Sequence, residues 1–433
     1  MTHPYLPTEL IELISTYLDL PTFRSMRLTS QELSKQTLHH LRTHYLSTQH
    51  LSWTRSSLDV FLARNTHPTL SGALIHLVVD ATPHHAQTLW RASKTIAEKQ
   101  AASPWPHTGG AELNGQLNAA RTASTAANTF FNETRWDIKV LMTVFASLGK
   151  LESLVFEYAG LEMKYAKFGN RYCACSQHEM SRPFVSTMAA VAATGLRVGG
   201  IHVGDSNYGA VGIGRLESLA PVLGKFDEAF AKLTSLELRL RDWRCPDEGF
   251  ALDDNARAPF VVRFLAKAAQ LKELKLDCHT NFEDDVFGHM ARHCVFPQLK
   301  RCKLTTLPIN VHNPRDLHTF LLPCTETLEF LHLQSVLLPG GGEEASWPEL
   351  LEDLASDETV LKTLKELMLH NLFAAKGNRI WFRGAPLGSL LGEHDEVGLW
   401  RRDILDRDII PSSSGSRDMW EGLVGAYPWV GFI

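Results

Sequence analysis

Apolar residues in this chain keep two periods. Over residues 6–45 they recur every three or four positions, which predicts helices. From residue 74 onward they recur as Leu, two residues, Leu, one residue, Leu, which predicts strands with one buried face. At ~100° per residue, Leu10, Ile11, Leu13, Ile14, Tyr17 and Leu18 fill an arc of about 160°, with Glu9, Glu12, Ser15, Thr16 and Asp19 opposite. That arc is broader than the stripe of an ordinary surface helix, so residues 8–19 are expected to touch two neighbours. Pro21 ends this helix and suits the first turn of a second, where its missing N–H has no partner to lose. Phe23 and Met26 share a face of the second helix. Thr29 and Glu32 have capping-box spacing and are expected to open a third, carrying Leu33, Leu38, Leu41 and Tyr45. Helices this short are marginal alone. Aliphatic side chains left open on them are a liability unless a partner covers them.

The strand motif occurs in strict form at Leu233 (LTSLEL), Leu271 (LKELKL), Leu328 (LEFLHL) and Leu364 (LKELML). Degenerate copies are Leu74-Leu77-Val79, Leu151-Leu154-Phe156 and Leu299-Cys302-Leu304. The later copies start 38, 28, 29 and 36 residues apart. Standard leucine-rich repeats keep about 20–29, so each interval must hold a helix and loops of variable length. Helices are expected at 132–149, 184–194, 216–231, 257–270, 283–293, 314–321 and 347–355. Alternating helix and strand implies a parallel sheet, and one strand per repeat implies a solenoid. The fold class expected is therefore α/β: short N-terminal helices followed by an irregular leucine-rich-repeat solenoid.

The opening stretch, LPTELIELISTYLDLPTFRSMRLTSQEL (residues 6–33), resembles an F-box. The matching positions are Leu6-Pro7, Glu9-Leu10, Ile14, Tyr17-Leu18, Arg27-Leu28 and Ser30. Many family members have Val-Cys or Val-Ser after Arg-Leu, where this chain has Thr29-Ser30. The match covers about a tenth of the chain. Residues 51–79 are more loosely similar to the segment that follows the box in filamentous-fungal F-box proteins: a Ser-Leu helix, a His-Pro, then a strand ending His-Leu-x-Val. The resemblance implies a three-helix box that docks the Skp adaptor, and through it a cullin. It implies adaptor contacts at Leu6, Pro7, Leu10, Ile14, Leu18 and Pro21.

Composition changes the picture in three places. Residues 97–130 are rich in Ala, Gly, Ser, Thr and Asn, and are expected to form a mobile insertion. The repeat fades from residue 374, where Trp381, Trp400, Trp420 and Trp429 are expected to cap the array. The organisation expected is thus 1–46 box, 47–96 linking helices and first strand, 97–130 insertion, 131–373 repeats and 374–433 cap. Net charge is −5, with 21% charged residues, which argues against a dedicated nucleic-acid surface. Seven scattered cysteines and no basic-then-apolar leader fit a cytoplasmic or nuclear protein. The least charged stretch, 183–196, is too short to cross a bilayer. No membrane partner is expected.

Candidate chemistry is sparse. Gly204-Asp205-Ser206 follows a predicted strand and resembles the nucleophile block of a lipase and esterase family. A serine nucleophile needs a histidine base, and that family's Asp-x-x-His block is missing here. Asp, Ser and Asn favour a turn at this place. Cys173, Cys175 and His178 offer three zinc-ligand types where a structural site needs four. Cys278-His279 and His293-Cys294 fall on different predicted elements. GAVGIG (209–214) matches no phosphate-loop spacing. No metal or cofactor is expected. Between the strand leucines, Arg239, Arg241, Lys275 and Lys303 are expected to form a positive strip for an acidic region of a protein substrate. The reading is a non-enzymatic substrate receptor of a Skp–cullin–F-box ubiquitin ligase. Its alternatives are a leucine-rich interaction scaffold with a helical cap and, remotely, a serine hydrolase using Ser206.

Overall fold

In the computed structural model, the described residues are 6–82, 110–158, 177–204, 210–241, 258–278, 286–309, 313, 315–338, 347–356, 361–373, 380–382, 389–393 and 409–411. Their strands are β1 (Thr48–Ser52), β2 (His76–Asp80), β3 (Lys150–Glu157), β4 (Arg197–Val203), β5 (Val211–Gly212), β6 (Ser235–Arg241), β7 (Glu273–Cys278), β8 (Arg301–Thr305), β9 (Phe330–Gln334), β10 (Glu366–His370), β11 (Ile380–Phe382), β12 (Ser389–Glu393) and β13 (Ile409–Pro411). Strands β1 to β10 run parallel in one sheet, added in chain order, with the short β5 beside β6. β12 joins antiparallel to β10, and β11 pairs with β13 apart from the sheet. The protein is α/β with a parallel sheet.

Every strict and degenerate copy of the leucine motif lands on a strand. The leucines of the four strict copies are at most 2% exposed. The residue after each leading Leu repeats one hydrogen bond. The amides of Lys272, Lys300, Glu329 and Lys365 donate to the carbonyls of Thr234, Lys272, Lys300 and Glu329 at 2.8–2.9 Å. Against the leucine face pack aromatic side chains of the crossover helices. Phe145, Phe184, Phe264, Phe287 and Trp347 are buried, and the Phe184 ring lies tilted 5.0 Å from Phe156 of β3. The opposite face presents the residues between the leucines.

Several expectations need correction. The sheet is not a solenoid. A solenoid needs a constant step per repeat, whereas the crossovers here range from the 18-residue helix Gln177–Thr194 to the six-residue helices Phe260–Leu265 and Asp316–Leu321. Residues 110–130, expected in a mobile insertion, lie in the helix Gly110–Thr134; residues 97–109 are outside the described residues. Ala, Gln and Glu are strong helix formers even where large aliphatics are few. That helix and Trp136–Phe145 replace the single one expected at 132–149, with Arg135 in the left-handed region (φ 52°) between them. The third N-terminal helix, Gln31–Gln36, is capped by Ser30, whose hydroxyl accepts from the Leu33 amide at 3.1 Å. Thr29 turns back instead to donate to the Met26 carbonyl. Trp400, Trp420 and Trp429 lie outside the described residues.

Candidate functional site

The N-terminal helices Thr8–Ser15, Leu20–Thr29 and Gln31–Gln36 are held from within by few groups. Phe23 is fully buried, with Tyr45 and His40 ring centroids at 4.9 and 5.3 Å. Arg27 donates to Thr37 Oγ1 at 2.8 Å and Ser34 Oγ at 3.1 Å, tying the second helix to the third. The Tyr45 hydroxyl donates to the Leu18 carbonyl at 2.8 Å. Asp19 caps the second helix by accepting from the Thr22 amide, and hydrogen bonding from the Thr22 side chain, then from its amide, holds the Asp19 carboxyl below the usual range. Burial, with His44 next, pushes the His40 imidazole down.

This interior uses only part of the broad apolar arc. Ile11 and Ser15 are the buried residues of the first helix, and Leu18 is half-buried. Leu10, Leu13, Ile14 and Tyr17 form a stripe about 100° wide and remain exposed, as does Leu6 ahead of the helix. Tyr17 is 81% and Leu28, on the second helix, 87% exposed. Of the six expected adaptor contacts, Leu6, Pro7, Leu10, Ile14 and Pro21 are exposed and Leu18 is partly covered. Leu13, Tyr17 and Leu28 were not in that set. Helical spacing from Leu10 would have found Leu13 and Tyr17. If a partner buried the open half of each side chain, the gain would be on the order of 5 kcal/mol.

The outward face of the sheet is a second candidate. Its middle row runs His50, Val78, Val155, His202, Glu237, Lys275, Lys303, His332 and Met368, each opposite the next in register. Glu237 sits 3.8 Å from His202 and 3.4 Å from Lys275, and these two hold its carboxyl below the usual range. Arg239 pairs with Asp277 at 3.5 Å and is nearly buried. The side chain of Arg241 is outside the described residues. The expected positive strip is therefore largely an alternating pattern of pairs, with Lys303 the member that meets no carboxylate among the described residues.

The remaining candidates separate quickly. Ser206, Cys173 and Cys175 lie outside the described residues, as does the side chain of His178. Cys278, Cys294, Cys302 and Cys324 are buried thiols, and burial pushes Cys294 and Cys324 up to about 12. Among the described residues no group of three metal-ligating side chains converges, and no helix is long and apolar enough to cross a membrane. A cavity of about 340 Å³ lies beyond the carboxyl ends of β1 and β2, lined in part by Trp53, Arg55, Phe130, Phe131 and Arg182. Arg182 is held there by Asp137 and Asn132. No family model matches this chain, and no curated protein matches it.

Proposed function

We propose that this chain is a substrate receptor of a Skp–cullin–F-box ubiquitin ligase. The N-terminal helices dock the Skp adaptor, the leucine-motif strands act as irregular leucine-rich repeats, and their outward face holds a target protein. No chemistry is assigned to the chain itself. The observation that carries the reading is the division of the first helix: Ile11 and Ser15 face inward while Leu10, Leu13 and Ile14 are open on the other side. A cap serving only the rest of the chain would bury those side chains beneath it.

Capture of the purified Skp adaptor by the full chain tests this. The wild type should retain adaptor, and Leu10→Asp with Ile14→Asp should lose it while keeping the wild-type circular dichroism spectrum. A folded wild-type chain that retains no adaptor leaves the interaction-scaffold reading in its place.

A further inference from the structure

We propose that β7–β10 form a docking strip for an extended acidic segment of a protein, with Lys303 as its anion anchor. The inference rests on the receptor reading for the role of this sheet face.

It begins from a mismatch in the middle row. From β4 to β7 the charges are matched: His202, Glu237 and Lys275 in that row, Arg239 and Asp277 beside it. In the middle row the matching stops at β8, although Arg301 beside it still meets Glu273 at 3.8 Å. Lys303 stands directly opposite Lys275 on one side and His332 on the other. Like charges directly opposite in a sheet are unfavourable. Lys303 is also half-buried, so its stem is held against the sheet while its ammonium meets no carboxylate among the described residues. His332 does not add a second charge. Burial, then Lys303 and His370, drive its imidazole down to about 4. The spot is an unmatched cation between Lys275, which Glu237 already pairs, and a neutral ring, and an incoming carboxylate would remove the mismatch.

The same row fixes what accompanies the carboxylate. Met368, half-buried and apolar, lies two strands beyond Lys303. Strands sit about 4.8 Å apart, so the separation is roughly 10 Å, or about three residues of a polyproline II segment at ~3.1 Å each, whose three-residue turn puts both side chains on one side. The segment that fits crosses the strands and carries Asp or Glu three positions from an aliphatic residue. A nucleic acid fits less well. The face also carries Glu237, Glu273, Asp277 and Glu366, which leave room for one carboxylate at Lys303 but would repel a continuous line of phosphates.

The test uses the full chain and two fluorescein-labelled ten-residue peptides in a Gly-Ser background, one with Glu and Leu three positions apart, the other with Gln for Glu. Anisotropy at low ionic strength should show the wild type favouring the Glu peptide by about fivefold, the scale of one ion pair. Lys303→Gln should erase the preference and Lys303→Arg should keep it. Lys362→Gln, whose ammonium meets Glu326 instead, should keep it too. No preference in the wild type, equal loss in Lys303→Gln and Lys362→Gln, or equally tight Lys303-dependent binding of a ten-nucleotide single strand would overturn the proposal. Adaptor capture by Lys303→Gln, measured alongside, separates the two ideas. Intact capture with no Glu preference removes this inference alone, and lost wild-type capture with the preference kept removes the ligase role alone.

Discussion

At the scale of single residues, adjacent positions with the same sequence signal have different consequences. Gly199 and Gly200 both sit in β4. A Cβ at Gly199 would come 2.8 Å from the Glu152 carbonyl oxygen of β3, a backbone atom that moves only if the strands part. A Cβ at Gly200 would meet the end of the His202 ring at 2.9 Å, and a side chain can turn away. Gly199→Ala is expected to cost about 1–3 kcal/mol in urea denaturation and Gly200→Ala less. His332 gives a pH dependence with a definite sign. Its imidazole is held near 4 in the folded chain, whereas an unfolded histidine titrates at about 6.5. The unfolded chain therefore takes up a proton first, and stability falls as pH drops from about 6.5 towards 4. Partial exposure of the ring limits the size of the loss. His332→Gln should flatten this part of the curve when urea midpoints are compared between about pH 7.5 and 4.5. An unchanged slope would mean that other groups set it.

At the scale of elements, the N-terminal helices were legible in their order and Pro21 start, because proline and helical periodicity act locally, but the first ends at Ser15 rather than residue 19, and the third, expected to carry Leu33 through Tyr45, ends at Gln36 and is followed by the short helical segments Leu38–His40 and Leu41–Tyr45. Their end signals were read one residue off at the third helix. Thr29 and Ser30 both can cap, and only the chain's path decides which hydroxyl faces a free amide. The two sides of the first helix make a further prediction. Ile11 is 4% exposed and Leu10 46%. Ile11→Asp buries a charge and should raise amide hydrogen exchange throughout residues 8–45, while Leu10→Asp should leave it unchanged. Strands were legible wherever the pattern used leucine. β1 escaped because its second inward position is Gln49, 3% exposed and paired with Asn65 through two amide hydrogen bonds of 3.1 Å. Its spacing, Leu46, Gln49, Leu51, is that of the other strands. A polar residue at a core position carries no hydrophobic signal, however well its partner satisfies it.

At the scale of the whole molecule, the two candidate surfaces make separate demands. The N-terminal stripe needs an apolar partner and the sheet face a charged one. Leu10→Asp with Ile14→Asp should accordingly leave the Glu-peptide preference of the full chain unchanged. The sequence alone determined that the chain alternates helix and strand, that the strands of the leucine motif bury one face and run parallel, and that residues 8–45 form short helices. These follow from periodicity and turn chemistry, which are properties of neighbouring residues. Only the tertiary structure decided which half of the first helix stays open, because periodicity says that a face is apolar and not what covers it. Only the tertiary structure separated Lys303 from Arg239 and Lys275. All three look alike between leucines in the sequence, and the register of strands some thirty residues apart sets which of them finds a carboxylate.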